Sequence, residues 1–554
     1  MAVLKEISLE GFQVFDQLTR IPMGDLTLLF GPNSAGKSAV ADALLLLQRF
    51  WAIPEKRWGT WPFWSNIEGE RGRILRHDWR RGEGNVYRES AIRLHTKVEC
   101  DAAELFQGLN SNQNQLEWES PSDVQLDLET RLSFFHTDSP KKAPAADVME
   151  IEVLVGERCL LILREGGSVA IDLRHPILAP ADFVPEECIR LATVDPDRVV
   201  FEDGWVTMNI AAAINGFREL DIDHAEAVHR LFWEGTGKPS HIRDALEELA
   251  SIHDPWLRGV SEVMAKACTI GVVSASRKIP TDEELTYLIG PGGYVSNAPD
   301  LNLPRTGIPE FGDLAESCAR QAWERNSKPD GLDHCEVGKH IPDLGRAEIA
   351  HVVNRMLSDY LFVQRGYRVD VDYQVLVNER EFHNLTAGKV SSGEIARQPT
   401  MLAHLVLADS QGRRFSFTDV GSGLGYVLPV LVGIWSKSPS FIQQPELHLH
   451  PALQASLGDV FLEAKNGGHR LIIETHSEHL LLRMLKRIRQ GSKDARVEEG
   501  LKLAADELVV LYFDPSPDGS TKVKQLRINI DGEFLDRWPG GFFAERDREL
   551  FDDE

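Results

Sequence analysis

No two cysteines in the sequence stand close enough to staple a small fold or grip a metal. Cys100, Cys159, Cys188, Cys268, Cys318 and Cys335 are isolated, with no C-x-x-C pair. That argues against a disulfide framework or zinc ribbon, and for reduced thiols in a cytosol. Long apolar runs are missing too. The longest, such as Ala43–Leu47 and Val427–Trp435, fall far short of a membrane span. The first residues, MAVLKEISLEGF, lack a basic stretch leading into an apolar one. No signal peptide is expected, and a soluble cytoplasmic protein without a membrane partner follows. Positive charge is scarce: 60 Lys and Arg against 85 Asp and Glu leave a net charge of −25. Such a field repels nucleic acid over most of the surface. The densest basic stretch, Arg71–Arg81, reads first as a solvated loop and second as a phosphate- or partner-contacting edge.

What is present points to an α/β protein. Its 554 residues suffice for several domains. Leu26–Phe30 is a continuous apolar run, as in a buried parallel strand, and helical spacing runs from Lys37 to about Phe50. Ile92–Val98, Val124–Phe134, Met149–Val155 and Leu160–Leu163 predict an antiparallel β lobe. Between about Pro180 and Lys266 the spacing looks helical, notably over Ala225–Phe232 and Ile242–Ile252. Thr269–Ala275 reads as a core strand, and 280–340 as a long irregular segment. A helix near Arg346–Leu361 and strands at Arg368–Val377 and Met401–Leu407 follow. The final part alternates strand and helix. The chain thus divides into 1–179, a mainly helical insertion at 180–268, and 269–554.

Gly31-Pro-Asn-Ser-Ala-Gly-Lys-Ser38 fits G-x-x-x-x-G-K-[ST] between an apolar strand and a helix. Backbone N–H groups of such a loop cradle phosphate oxygens at a helix N-terminus. Lys37 would reach the β/γ-phosphates and Ser38 would bind Mg²⁺, so ATP and Mg²⁺ are the expected cofactors. Asn33, Ser34, Ala35, Gly36, Lys37, Ser38 and Ala39 are the candidate contacts. Far along the chain, Ser440-Phe-Ile leads into Gln443-Gln-Pro-Glu446-Leu-His-Leu-His450. A helix over Ala452–Lys465 follows, then the strand Arg470–Glu474, ending in Thr475-His476-Ser477-Glu478. Acid, amide and imidazole at strand tips suit nucleotide hydrolysis, and open α/β sheets place ligands there. Gly421-Ser422-Gly423, before the apolar helix Tyr426–Ile434, is an anion-binding nest.

Together these motifs resemble the ABC-type ATPase superfamily that includes the SMC, RecF and OLD-family proteins. There the Walker A and Walker B segments lie far apart with an insertion between. The resemblance implies an ABC-type head: a mixed α/β sheet with an antiparallel β lobe. It puts Gly421, Ser422 and Gly423 at the signature motif, which touches ATP bound to the other protomer, and His476 at the switch histidine. More narrowly, the chain is similar to bacterial AAA ATPases with a DUF3696-type C-terminal region. The matching pieces are Val420–Pro429, Gln444–Pro451, Val353–Leu357 and Trp538–Phe543. Proteins of that type often serve antiphage defence beside a separate effector. The resemblance therefore implies a homodimer through ATP-bound heads, a separate protein effector, and nucleic acid reached through that partner.

One departure stands out. Family members carry Asp or Glu at the Walker B acid position and often a catalytic Glu next to it; this chain has Gln443 and Gln444. An amide can hydrogen-bond a metal-bound water, but it is no general base and brings no charge to Mg²⁺. Three readings stay open: Glu446 or Glu474 supplies the carboxylate, hydrolysis is slow, or Gln443 is a deliberate substitution that traps ATP. Gln443, Gln444, Glu446 and His476 are the catalytic candidates; Ser38, Gln48 and Gln443 are the metal candidates. Gln48 reads equally as a Q-loop glutamine or a helix-surface residue. His448 and His450 read as structural before metal-binding. After His476 no Asp-x-Asp occurs, which argues against a nuclease of the OLD type. The rival functions are a maintenance ATPase acting directly on DNA and a scaffold that binds nucleotide without hydrolysis.

Overall fold

The computed structural model describes residues 2–51, 92–105, 124–137, 145–164, 168–172, 175, 199–202, 205–209, 259–277, 285–289, 295–297, 309–327, 349–376, 383, 387, 400–436, 439–493 and 498–539. The chain forms two units. The first comprises Met1–Met23, Pro32–Thr269 and Phe513–Val523; the second comprises Gly24–Gly31, Ile270–Tyr512 and Lys524–Glu554.

In the first unit, nine strands form one antiparallel sheet. Their order is 19–22, 3–10, 92–101, 125–137, 145–155, 158–164, 168–172, 205–209, 199–202. The alternation of Ile92–Asp101 buries Ile92, Leu94, Thr96, Val98 and Cys100 on one face, as a half-buried strand requires. Thr96 faces Thr130 on the neighbouring strand, and their buried hydroxyls satisfy each other at 2.7 Å. The β lobe expected between 91 and 173 is this meander. The 180–268 segment departs from its helical expectation. Val199–Glu202 and Trp205–Asn209 pair as a hairpin that extends the sheet, joined in sequence by Asp203-Gly204, a pair that suits a tight hairpin turn. Residues 259–268 are helical. Ala225–Phe232 and Ile242–Ile252 lie outside the described residues, as does the basic stretch Arg71–Arg81.

Among the described residues, two further sheets form, built from the second unit except that 513–523, at the end of the first of them, count with the first unit. A six-stranded sheet runs 271–273, 440–443, 471–474, 26–30, 508–515, 521–525. Its first five strands pair in parallel. Leu26–Phe30 lies between parallel neighbours and is buried throughout, which is why it reads as an unbroken apolar run. Helices Ser422–Ser436, Pro451–Asn466 and Glu478–Lys493 alternate with its strands. The second sheet is antiparallel, in the order 295–297, 286–289, 400–408, 368–376, with 414–415 paired to 400–408.

The irregular reading of 280–340 is corrected. Strands Thr286–Ile289 and Val295–Asn297 lie there, and Pro309–Ser327 is a helix. Its buried stripe is Phe311, Leu314, Ala315, Cys318, Ala319 and Ala322, a true helical period carried by small side chains. Pro309 sits at its first position, where a missing N–H costs nothing. The helix expected near Arg346–Leu361 runs as an α-helix over Ile349–Arg355 and a π-helix over Met356–Leu361. Cys100, Cys159, Cys268 and Cys318 are free thiols, and burial pushes Cys100 up to about 11 and Cys268 to about 12. Cys188 and Cys335 lie outside the described residues. Among the described residues, no helix is long and apolar enough to cross a membrane.

Candidate functional site

The phosphate-loop residues 32–38 belong to the first unit. Three positions in Gly31–Ser38 take the left-handed region: Gly31 at φ 142°, Ser34 at 64° and Gly36 at 91°. Gly36 tolerates no side chain. A Cβ there would meet Val14 Cγ2 at 2.3 Å on a backbone that L-residues avoid. Two tight turns shape the loop: Ala35 N donates to Pro32 O at 3.3 Å, and Ala39 N to Gly36 O at 3.1 Å. Lys37 is 3% exposed, and its Nζ donates to Pro32 O at 2.8 Å. The ammonium is thus folded under the loop, while Asn33, Ser34 and Ser38 are exposed above it. The helix Lys37–Trp51 starts here, and its first N–H groups have no intrahelical partner. Buried amine, left-handed backbone and helix N-terminus are the features that a phosphate-binding loop would need. Gln48 lies about 15 Å along the helix axis from Ser38, at 1.5 Å per residue. One ion cannot reach both, so Gln48 is not a co-ligand of Ser38.

In the second unit, four strand tips and one loop converge. Gln443 and Glu474 are register partners on adjacent parallel strands, and Glu474 in turn pairs with Leu29. The Gln443 amide is spent between neighbours. Its Oε1 accepts from Ala275 N at 3.3 Å, and its Nε2 donates to Glu474 Oε2 at 3.3 Å. Glu474 is buried. Gln444 has φ 44°, a strained backbone for a non-glycine, and its N donates to Glu474 O at 2.7 Å. Glu446 closes over the next tip. Its Oε2 accepts from Thr475 Oγ1 at 2.9 Å and its Oε1 from His476 N at 2.7 Å. Burial pushes the Glu446 carboxyl above its ordinary value, against the pull of those donors and of Arg277. Thr475 N donates to Leu29 O at 3.1 Å, tying this tip to the strand that precedes Gly31.

These contacts separate the carboxylates. Both Glu446 oxygens receive donors from 475–476, so Glu446 fixes the backbone of His476. Glu474 sits beside the Gln443 amide, at the strand position next to it. Of the two acids, Glu474 has the placement of a carboxylate that stands in for Gln443.

The signature-like loop borders this cluster. Thr418, Asp419, Gly421 and Ser422 are exposed, whereas the helix that Ser422 opens is largely buried. Gly423 approaches the following loop closely; a Cβ there would meet His448 O at 3.0 Å. His448, at φ 62°, stacks on Tyr426 with ring centroids 4.2 Å apart. His450 Nδ1 accepts from Ala452 N at 3.3 Å and caps the helix that Pro451 opens. Both histidines are occupied in shaping the loop. Among the described residues, no group of three or more His, Cys, Asp or Glu could hold a metal ion.

The structure therefore brings Gln443, Gln444, Glu446 and His476 into one cluster, with Gly423 joined to it through His448. It adds Arg277, which the sequence reading passed over. The only signal for it is an Arg shortly after the Thr269–Ala275 strand, with small residues between.

Residues 374–483 match the family described as "AAA domain, putative AbiEii toxin, Type IV TA system". That span holds the signature-like loop and the strand tips 440–443 and 471–474. A search of curated proteins gives no match. Among solved structures, the chain is similar to the Smc head domain of Pyrococcus furiosus, with an extended coiled coil and bound to the C-terminal domain of ScpA. That likeness has 11% identity, covers 95% of this chain and 97% of that one, and has a TM-score of 0.35. For the SMC head domain from Thermotoga maritima the values are 9%, 95%, 100% and 0.33. For the Smc head domain with coiled coil and joint of Pyrococcus yayanosii they are 12%, 96%, 98% and 0.34. Identities and scores of this size leave the architecture to be read from the sheets themselves. The family match places an AAA-type domain over residues 374–483 and supports a nucleotide-binding ATPase.

Proposed function

We propose that the chain binds ATP with Mg²⁺, hydrolyses it slowly, and dimerises through its nucleotide-bound heads to serve as a sensor or scaffold for a separate effector protein. The observation that carries this reading is the exposure of Gly421 and Ser422 at the mouth of an otherwise buried helix. A Gly-Ser-Gly turn with free helix N–H groups suits an anion, and here it is presented outward rather than covered by its own chain. Residues 32–38 would hold the phosphates; bound Mg²⁺-ATP supplies the charge that a second copy of the Gly421-Ser422-Gly423 loop recognises. Ser38 is an oxygen donor that suits Mg²⁺. Slow turnover follows from the amides at 443 and 444, which cannot accept a proton from water.

The matched family's description names a putative toxin of a Type IV TA system, which agrees with a chain that works beside a partner protein, and we place that pair in defence against phage. The net charge of −25 favours a protein partner over DNA as the constant contact. Ser422→Arg tests the reading: it should abolish ATP-dependent dimerisation in sedimentation velocity and leave ATP binding by the monomer intact. A variant that dimerises like the wild type contradicts it.

A further inference from the structure

Arg277 follows the strand Gly271–Val273 in a turn of small residues, closed by Arg277 N donating to Ser274 O at 3.4 Å. Among the described residues, its guanidinium makes four hydrogen bonds, all to main-chain carbonyls. Nε donates to Tyr426 O at 2.8 Å; Nη1 donates to Gln443 O at 2.9 Å and Ser274 O at 3.2 Å; Nη2 donates to Gln444 O at 2.8 Å. The acceptors come from separate segments: the signature-like helix, the Gln443-Gln444 tip and Arg277's own turn. Only a planar fork of several donors spans them; an ammonium is a single point.

Stability alone gives little reason for a cation here. Burial works against the charge, lowering the Arg277 pKa, while Glu446 and Tyr426 offset this. Burying a guanidinium without an ion-paired acceptor costs solvation that an apolar side chain would not. What the arrangement does achieve is linkage. Tyr426 lies one turn after Ser422, on the helix that presents the exposed loop. Gln443 donates to Glu474, and Glu446, in the same loop, holds Thr475 Oγ1 and His476 N. A displacement of the helix start therefore reaches Glu474 and His476 through one side chain. The Tyr426–His448 stack and the close approach of Gly423 to His448 O run alongside it.

We infer that Arg277 is a positioning residue that locks the Gly421–Tyr426 end of the signature-like helix to the Gln443–Glu446 tip, so that a ligand seated on the one resets the other. The functional part of this inference rests on the ATP-binding reading. Coupling of this kind needs a direct measurement rather than a chain of contacts.

The test uses the full chain as wild type, Arg277→Lys and Arg277→Gln. Hydrogen–deuterium exchange without nucleotide reads the linkage itself. Both variants should exchange faster, by about tenfold, at 421–426 and at 443–446 together, while the strands 26–30 and 471–474 stay protected. ATP affinity and single-turnover hydrolysis are then measured for the same three chains. Affinity should stay within about twofold while the hydrolysis rate falls about a hundred-fold, the usual effect of a small misplacement. Arg277→Lys should fare almost as badly as Arg277→Gln, since the fork and not the charge spans the segments. Three results overturn the inference: faster exchange at only one of the two segments, full rescue by Lys, or loss of affinity with the hydrolysis rate unchanged. A wild-type chain that binds no ATP at all removes the nucleotide reading and the functional half of the inference, and leaves the exchange result to stand by itself.

Discussion

Residues 32–38 hold their shape through backbone, whereas the cluster of Arg277, Gln443, Gln444, Glu446, Glu474 and His476 holds its shape through side chains. In the loop, the decisive facts are φ angles, two tight-turn bonds and one amine folded under a carbonyl. In the cluster, they are an amide between Ala275 and Glu474, a carboxylate across 475–476 and a guanidinium on four carbonyls. A backbone device fits in one short stretch of sequence. A side-chain device draws on four stretches, 274–277, Tyr426, 443–446 and 474–476, that only the fold brings together. The loop is accordingly suited to one fixed task, phosphate binding, while the cluster can be retuned by single substitutions.

That contrast can be broken. The largest effect is expected from Lys37→Ala, which removes the amine under the loop. ATP affinity should fall on the order of a hundred-fold or more, in line with the loss of charge-assisted bonds to phosphate. Titration with a fluorescent ATP analogue checks it; normal affinity sinks the phosphate-loop assignment. Next is Gln444→Glu, which should leave affinity within a few-fold and raise turnover about a hundred-fold by placing a general base where the resemblance puts the catalytic Glu. Unchanged turnover would show that the missing carboxylate is not what limits the rate.

A smaller effect separates two glycines. Gly36→Ala puts a Cβ 2.3 Å from Val14 Cγ2 on a positive-φ backbone and should cost about 1–3 kcal/mol. Gly423→Ala meets His448 O at 3.0 Å, without positive φ, and should cost less than about 1 kcal/mol. Urea denaturation of both variants decides; equal losses would erase the distinction between the two regions.

The smallest concerns pH. Burial raises the Glu446 carboxyl, so the folded chain keeps a proton that the unfolded chain has already released. Stability then declines as pH rises from the ordinary carboxylate range through the raised value, and is flat above it. Glu446→Gln should remove that slope from the melting curve; a slope identical to the wild type would assign it elsewhere.

The same contrast explains what was legible in the sequence. The Gly31–Ser38 loop, the buried Leu26–Phe30 strand and the meander beginning at Ile92 follow from local pattern, because local geometry fixes them. The helix Pro309–Ser327 was hidden because its stripe, past Phe311 and Leu314, is Ala and Cys. The hairpin strands Val199–Glu202 and Trp205–Asn209 lay inside a stretch whose overall spacing looked helical. Gln443 was visible as an anomaly, but its answer was not. That Glu446 is committed to Thr475 and His476, while Glu474 lies beside Gln443, depends on strand register. Arg277 was invisible for the same reason: nothing in Ser-Ala-Ser-Arg marks the distant carbonyls of Tyr426, Gln443 and Gln444 as its targets.

The central claim is that nucleotide seated on the 32–38 loop of one chain is recognised by the Gly421-Ser422-Gly423 loop of a second. Native mass spectrometry of the wild-type chain with Mg²⁺-ATP tests it most directly. The account requires a species of two chains carrying two nucleotides, absent without ATP. Single chains that each carry one ATP at saturation, with no dimer at any protein concentration, would contradict it.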